Sequence, residues 1–330
     1  MGSDSSPETL YAGVLDASKQ LGVSSTLVVF TLPETWKALQ PLNPSEADGA
    51  AIELCACDDV IAMDEAPLSA IRQRRKSSMV LAVRALRDGH IDAMVSAGNT
   101  GALVAASTVL LKRLPGIHRP ALMTVLPSEQ GAVAVLDVGG NVQPKAQHLL
   151  QFAVMGAAYQ QRGYNLATPR VGLLNIGTEE LKGTSEHRDT FALLKEWGES
   201  GTSSIPIQFC GNVEGRDVFR GVVDVLVTDG FTGNVFLKTA EGVSAFLLER
   251  IRAAVSGFPD DGAVKSAVEA LAKHVNYDEY PGAIVCGVEG VVVKCHGYSS
   301  SRAMANGILG AASLLEKGFV EGLNSSLSSS

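Results

Sequence analysis

The 330-residue sequence is poor in charge and in aromatics. Asp, Glu, Lys and Arg make up 19% of it, and Phe, Trp and Tyr 5%. Few charges beside 46% hydrophobic residues exclude a disordered chain and imply a large core. A basic surplus is also lacking: 27 Lys and Arg against 35 Asp and Glu give a net charge of −8. That excludes a general nucleic-acid binder, whose phosphate contacts need clustered cations. The expected partners are small anions, or an acidic protein docking on a local basic patch. No apolar run approaches the ~20 residues that span a bilayer, and no signal peptide opens the chain, so the cytoplasm is the expected location. The five cysteines lack zinc-ligand spacing; Cys55-Ala56-Cys57 is a single CxC in an apolar run. They are expected to be reduced core thiols. Walker, dinucleotide GxGxxG and GxSxG motifs are missing too.

What the chain has is glycine, 34 residues of it, in a recurring unit of buried strand, short Gly/Asn loop and helix. Strands are predicted over 91–96, 132–138, 170–176, 207–210, 223–228 and 291–295. Helices are predicted over 102–114, 144–162, around Phe191, after Asn234 and from Ser300. A helix starts near Pro7 with no strand before it. Alternating strands and helices imply crossover connections and an α/β fold, a mainly parallel sheet sandwiched by helices. In such a sheet the loops that follow the strands share one edge, so the Gly/Asn loops form one candidate site. The Ser-rich end, 324–330, is expected to be disordered.

Each loop has a chemical and a plain structural reading. Ser96-Ala97-Gly98-Asn99-Thr100-Gly101 points N–H groups and a helix N-terminus at an anion, or is a tight turn with positive φ at glycine. Asp137-Val138-Gly139-Gly140-Asn141 repeats that arrangement. The loop 175–184 places Lys182 beside two carboxylates, as an anion contact or a solvated surface. In Asn212-Val213-Glu214-Gly215-Arg216-Asp217, Arg216 binds an anion unless Glu214 or Asp217 pairs with it. Asp229 ends a strand, as a helix cap or a functional acid, and Asn234 and Lys238 are one helical turn apart. Alternation puts Lys294 and His296 on one face, with His296 a general acid or base or a capping residue. Arg72, Arg74, Arg75 and Lys76 form the strong basic run, a solvated face or a dock for an acidic carrier. The 245–272 segment reads as two amphipathic helices around Gly257-Phe258-Pro259. Its Phe246, Leu247, Leu248, Ile251 and Val255 would face the core, a second subunit or a membrane surface.

Together, the segments 96–102, 212–217 and 229–238, with Lys294-Cys295-His296-Gly297, resemble the fatty acyl-ACP:phosphate acyltransferases of bacterial phospholipid synthesis. The resemblance runs in order from Met1-Gly2-Ser3-Asp4 through Gly297. It implies a phosphotransacetylase-like fold, related to isopropylmalate dehydrogenase, with one catalytic domain over 1–323 and a homodimer. It implies that an acyl group passes from acyl carrier protein (ACP) to inorganic phosphate. The acyl phosphate would feed a glycerol-3-phosphate acyltransferase, and the helical segment within 245–282 would make dimer or peripheral membrane contacts. No cofactor or metal is implied. Phosphate is itself the nucleophile, so no protein Ser or Cys need be acylated. On this reading Lys182, Lys238 and Lys294 are candidate cations, with Asp229 and His296 in support. Asp4, Ser96, Gly98, Asn99, Thr100, Gly101, Asn141, Asn212, Asn234, Glu214 and Arg216 bind or orient substrate. The sequence departs from the family in the missing leading strand and in Tyr298-Ser299-Ser300, where the family often reads Ser-Ser-Asn. Competing readings are a phosphotransacetylase acting on short acyl-CoA, a decarboxylating dehydrogenase of related architecture, and a membrane-attached scaffold for lipid synthesis.

Overall fold

In the computed structural model, residues 1–42, 49–200, 205–255, 262–275 and 280–328 are described. The elements in chain order are α1 (Pro7–Leu21), β1 (Thr26–Thr31), α2 (Pro33–Leu39), β2 (Ala51–Ala56), α3 (Pro67–Gln73), α4 (Ser78–Arg87), β3 (Ala93–Ser96), α5 (Thr100–Leu110), β4 (Ala121–Ser128), β5 (Gly131–Leu136), α6 (Ala146–Tyr164) and β6 (Arg170–Leu174). They continue as α7 (Ser185–Ser200), β7 (Gln208–Val213), α8 (Gly215–Val218), β8 (Val225–Val227), α9 (Gly230–Val255), α10 (Gly262–Val275), β9 (Ala283–Cys286), β10 (Val291–Lys294), α11 (Ser301–Glu316) and α12 (Phe319–Ser328). Pro at N1 and a Ser6 side chain that accepts from Thr9 N start α1 where the sequence predicts.

The strands form a two-stranded sheet, β1-β2, and an eight-stranded sheet in the order β3-β10-β9-β4-β5-β8-β6-β7. Val225 and Val227 of β8 belong to one apolar cluster and Leu226 to the other. Successive side chains alternate between faces, so a strand covered by helices on both sides must be apolar throughout. Burying one such Val or Leu contributes about 1.5–3 kcal/mol.

The expected α/β sandwich is present, but its sheet is mixed. β3-β10 and β5-β8-β6-β7 pair in parallel, whereas β10-β9, β9-β4 and β4-β5 are antiparallel. The two parallel groups therefore run in opposite directions, and the expectation that all loops share one edge is corrected. Stagger brings the loops together instead. One row of paired residues crosses the sheet through Val95, Val293, Ile284, Met123, Leu136, Val227, Leu173 and Asn212. β3 and β10 end just past that row from one side. β5, β8, β6 and β7 end at or just past it from the other. The carboxyl ends of both groups thus face each other across the middle of the sheet.

Two further expectations change. The Ser-rich end is helical to Ser328, because Phe319 and Leu323 of α12 are buried in the core beside α6; residues 329–330 lie outside the described set. Of the cysteines, Cys57, Cys286 and Cys295 are buried, but Cys55 is half-buried and Cys210 exposed. Among the described residues, no helix is long and apolar enough to cross a membrane.

Candidate active site

Four chain segments meet where the two groups of strands converge. The first is the turn after β10. Asp4 N and Ser5 N both donate to Gly297 O, at 3.0 and 3.1 Å, and Ser5 Oγ donates to Ser299 O. This clasp holds Asp4 beside the His296-Gly297 turn. The second is α9, which brings Lys238 Nζ into contact with His296 Nε2 and, at 2.9 Å, with Glu241. Lys294, the last residue of β10, lies beside both. Its side chain is 6% exposed, and its Nζ donates to Cys295 O. Burial, with the charge of Lys238 adding to it and Cys295 and Asp4 opposing, pushes the Lys294 ammonium down to about 8. A buried cation beside a second cation is stabilised by an incoming anion.

The third segment is the loop after β5. Asp137 is fully buried, and its carboxylate accepts from the backbone N–H of Leu122, Gly139, Gly140 and Asn141 and from Asn141 Nδ2. Burial pushes the Asp137 pKa up, against those five donors. Asn141 also donates to Pro120 O, and its own carbonyl accepts from Gly230 N at 2.7 Å. This knot fixes the start of α9 and sets Asn234 against Gly139. Asp137 is absent from the sequence-based set of site residues. Its signal was its place at the head of the Val138-Gly139-Gly140-Asn141 loop.

The fourth is the loop after β3. Gly98 and Gly101 do not have positive φ; glycine is required there by close approach. A Cβ on Gly101 would lie 2.6 Å from Pro67 Cγ, and one on Gly98 would lie 3.0 Å from Met79 Cε. Ser96 Oγ accepts from Gly98 N. Asn99 caps α5 through Ala102 N, and its Nδ2 donates to the carbonyls of Ala62, Met63 and Glu65. Its side chain is thus committed to holding the 62–65 segment, which leaves Thr100 and the backbone to face a ligand.

The other expected residues lie on the rim above β6 and β7. Asn175 Nδ2 donates to Asn212 Oδ1 and Lys182 O, and Asn212 Nδ2 donates to Glu179 O. Lys182 is half exposed, 3.8 Å from Glu179. Arg216 pairs with Glu214 at 2.5 Å. Gly215 packs on Phe236 of α9, which ties this rim to the Lys238 helix. Asp229 is resolved as a helix cap: its carboxylate accepts from Phe231 N, Thr232 N and Thr232 Oγ1. His187, which the sequence did not single out, feels the charge of Asp229; burial lowers its pKa and Asp229 opposes. In the basic run, Arg74 is taken up by Glu65 and Asp59, and Lys76 by Asp58. Arg72 and Arg75 remain exposed at the surface, where Arg75 Nε donates to Arg72 O and Arg75 O accepts from Arg84 Nη1. Four of the five cysteines are not primed as nucleophiles: burial raises the pKa of Cys55, Cys210 and Cys286, and that of Cys57 to about 12.

Comparison with known proteins finds relatives along nearly the whole chain. The model of a family described as "Fatty acid synthesis protein" matches residues 1–322. The phosphate acyltransferase of Desulforamulus reducens is 40% identical over 330 residues, 99% of this chain and 95% of that protein. That of Chlamydia abortus is 39% identical over 328 residues, 99% and 97% respectively. Among solved structures, the EutD phosphotransacetylase from Staphylococcus aureus superposes with a TM-score of 0.58 at 16% identity, over 93% of this chain and 92% of that one. A branched-chain phosphotransacylase from Enterococcus faecalis V583 gives 0.55 at 16% identity, over 94% and 96%. These two share the fold. The sequence matches carry the family assignment: the chain belongs to the bacterial phosphate acyltransferases, enzymes of lipid metabolism that transfer an acyl group.

Proposed function

We propose that the acyl donor is a long-chain acyl-ACP and that the acceptor is inorganic phosphate, bound between Lys294, Lys238 and the loop 96–101. The observation that carries this reading is the buried Lys294 beside Lys238, two cations in the cleft between the two strand groups, with Asp4 near Lys294 and Glu241 on Lys238 as the neighbouring carboxylates. A phosphate oxygen attacks the thioester carbonyl, the tetrahedral oxyanion collapses, and the C–S bond breaks to release the carrier thiolate. Asn234 is the candidate oxyanion donor, worth roughly 10²–10³ in rate. Alignment of the two substrates supplies a further ~7 kcal/mol. His296 accepts from Lys238, which orients that ammonium, and protonation of the thiolate is a lesser demand because a thiol pKa is only about 8.5. Lys182, Asn212, Glu214 and Arg216 on the far rim approach the carrier side of the thioester. Arg72 and Arg75 are the proposed carrier dock, together with the stem of Lys76. The product is an acyl phosphate for glycerophospholipid synthesis.

The test supplies palmitoyl-ACP and acetyl-CoA side by side and follows free thiol with and without phosphate. Phosphate-dependent release from palmitoyl-ACP, at least tenfold faster than from acetyl-CoA, is expected. Preference for acetyl-CoA would assign the enzyme to short acyl-CoA donors.

A further inference from the structure

The turn between α5 and β4 carries Lys112, Arg113, His118 and Arg119, all exposed. A hollow of about 590 Å³ opens there, lined by Thr108, Lys112, Arg113 and His118 together with buried Leu111 and Leu114. Two further basic residues come from the start of α6. The rings of His118 and His148 meet edge to face, 6.3 Å apart. Burial, then the charges of Arg119, His118 and Lys145, lower the His148 pKa, so Arg119 and Lys145 surround the same imidazole. The cluster therefore has two foci: Lys112 and Arg113 at the hollow, and Arg119 and Lys145 beyond His118. Its backbone is fixed in advance. Arg113 Nη1 donates to His118 O at 2.7 Å, Gln151 bridges His118 N and Gly116 O, and Leu114 N donates to Gly287 O. Pro120, next to Arg119, accepts from Asn141 Nδ2 in the Asp137 knot. His148 Nδ1 accepts from Lys145 N, so in the neutral ring the proton sits on Nε2, which is a donor.

Such a cluster is costly on a chain of net charge −8, where other cations are neutralised: Arg170 by Asp224, Lys76 by Asp58, Lys238 by Glu241. Among the described residues no ion pair engages Lys112, Arg113, Arg119 or Lys145. Glu289, whose N–H donates to Lys112 O, is the exposed carboxylate that the adjoining turn supplies. Lys145 is the N-cap of the 19-residue α6, and the first turn of that helix has no acidic residue. A cation there opposes the helix dipole, and like charges gathered without partners repel; an incoming anion relieves both. Magnitudes select its class. A phosphomonoester carries about −1.5 to −2 at pH 7, so four permanent cations match two such groups. A single phosphate answers only one focus.

We propose that the cluster is a binding site for a small organic bisphosphate, with one phosphoryl group at Lys112 and Arg113 and the other at Arg119, Lys145 and His148 Nε2. This site is separate from the phosphate site proposed at Lys294 and does not depend on it.

The test titrates the full chain with adenosine 3′,5′-bisphosphate, and with adenosine 5′-monophosphate, in a calorimeter at low salt. Saturable binding of the bisphosphate, roughly tenfold tighter than the monophosphate, is expected. Replacing Lys112, Arg119 and Lys145 together by Ser should weaken it roughly tenfold or more, whereas Lys294→Met should leave it unchanged. Lys145→Ser alone should weaken binding several-fold and raise Tm, because Ser is a favoured N-cap and the opposing charge is gone. The proposal is overturned if the bisphosphate does not bind the parent, or if Lys294→Met abolishes binding and the triple variant keeps it. It is also overturned if Lys145→Ser lowers Tm and binds like the parent. Binding of acyl carrier protein or of anionic vesicles at the cluster, lost in the triple variant, with none of the bisphosphate, would assign these cations to a larger partner and would likewise overturn it.

Discussion

Lys294, the buried cation proposed to bind phosphate, weakens the fold that carries it. Its folded pKa of about 8 lies below the ordinary 10.5, so the native state binds protons less tightly than the unfolded chain. Below pH 8 both states are protonated and the full penalty, roughly 3 kcal/mol, acts against folding. Between pH 8 and 10.5 the unfolded chain holds the extra proton, so this contribution improves as pH rises. Lys294→Met should therefore be more stable than the parent at pH 7 by roughly 1–3 kcal/mol in denaturant melts, and nearly inactive. The gain should shrink toward pH 10. A mutant that is less stable at pH 7 would show that the buried ammonium is already compensated. The neighbouring motif residues were legible as loop residues but not in their roles. Asn99 and Asp229 look like ligands in sequence, yet each is consumed by backbone N–H groups, and Asn99 by carbonyls from the distant 62–65 segment as well. Residue type and spacing reveal a polar turn; only the fold shows what reaches it first. Asp229→Ala should cost ~1 kcal/mol of stability through the lost cap, read as a lower Tm.

The helix α9 depends on a backbone contact that sequence patterns cannot display. A Cβ on Gly233 would lie 2.0 Å from the Asp137 carbonyl oxygen. Gly233→Ala must push the first turn of α9 off the Asp137 knot and carry Asn234 and Lys238 with it. It should lower stability by several kcal/mol or abolish soluble expression, whereas Gly242→Ala, further along α9 with open space around it, should gain a few tenths to 1 kcal/mol by helix propensity. Thermal melts of the pair check both signs. Six strands were legible to within a few residues, because each belongs to a strand, glycine loop and helix unit. β4 and β9 were not, since they lie in hairpins, β4 with β5 and β9 with β10, that lack an intervening helix. β1 and β2 were missed as well. β4 and β9 are the antiparallel partners that reverse the sheet, so missing them produced the expectation of a single loop-bearing edge.

For the molecule as a unit, that reversal matters less than the stagger that accompanies it, because both groups of carboxyl ends still arrive at one cleft. The family resemblance covers the chain end to end, and the convergence of Asp4, Lys238, Lys294 and His296 explains physically why segments so far apart in sequence must be read together. The outer face of α9 is a separate matter. Leu248 is buried, but Phe246, Leu247 and Val243 are exposed, so the core does not use them. Residues 257–259, expected to separate the two amphipathic helices, lie outside the described set. We propose that this face packs against a second copy of the chain. Replacing Phe246 and Leu247 together by Ser should shift sedimentation equilibrium toward monomer; an unchanged mass would leave a membrane surface as the occupant, checked by flotation with anionic vesicles.

The account stands on phosphate being held by lysines that the fold brings from opposite directions. The direct measurement is a phosphate titration of thiol release from palmitoyl-ACP by the parent, Lys294→Met and Lys238→Met, with folding verified for each. The expected result is a rise in KM for phosphate of at least tenfold, or loss of measurable turnover, in both variants, with smaller effects on KM for acyl-ACP. Parent-like kcat and KM for phosphate in both well-folded variants would contradict it.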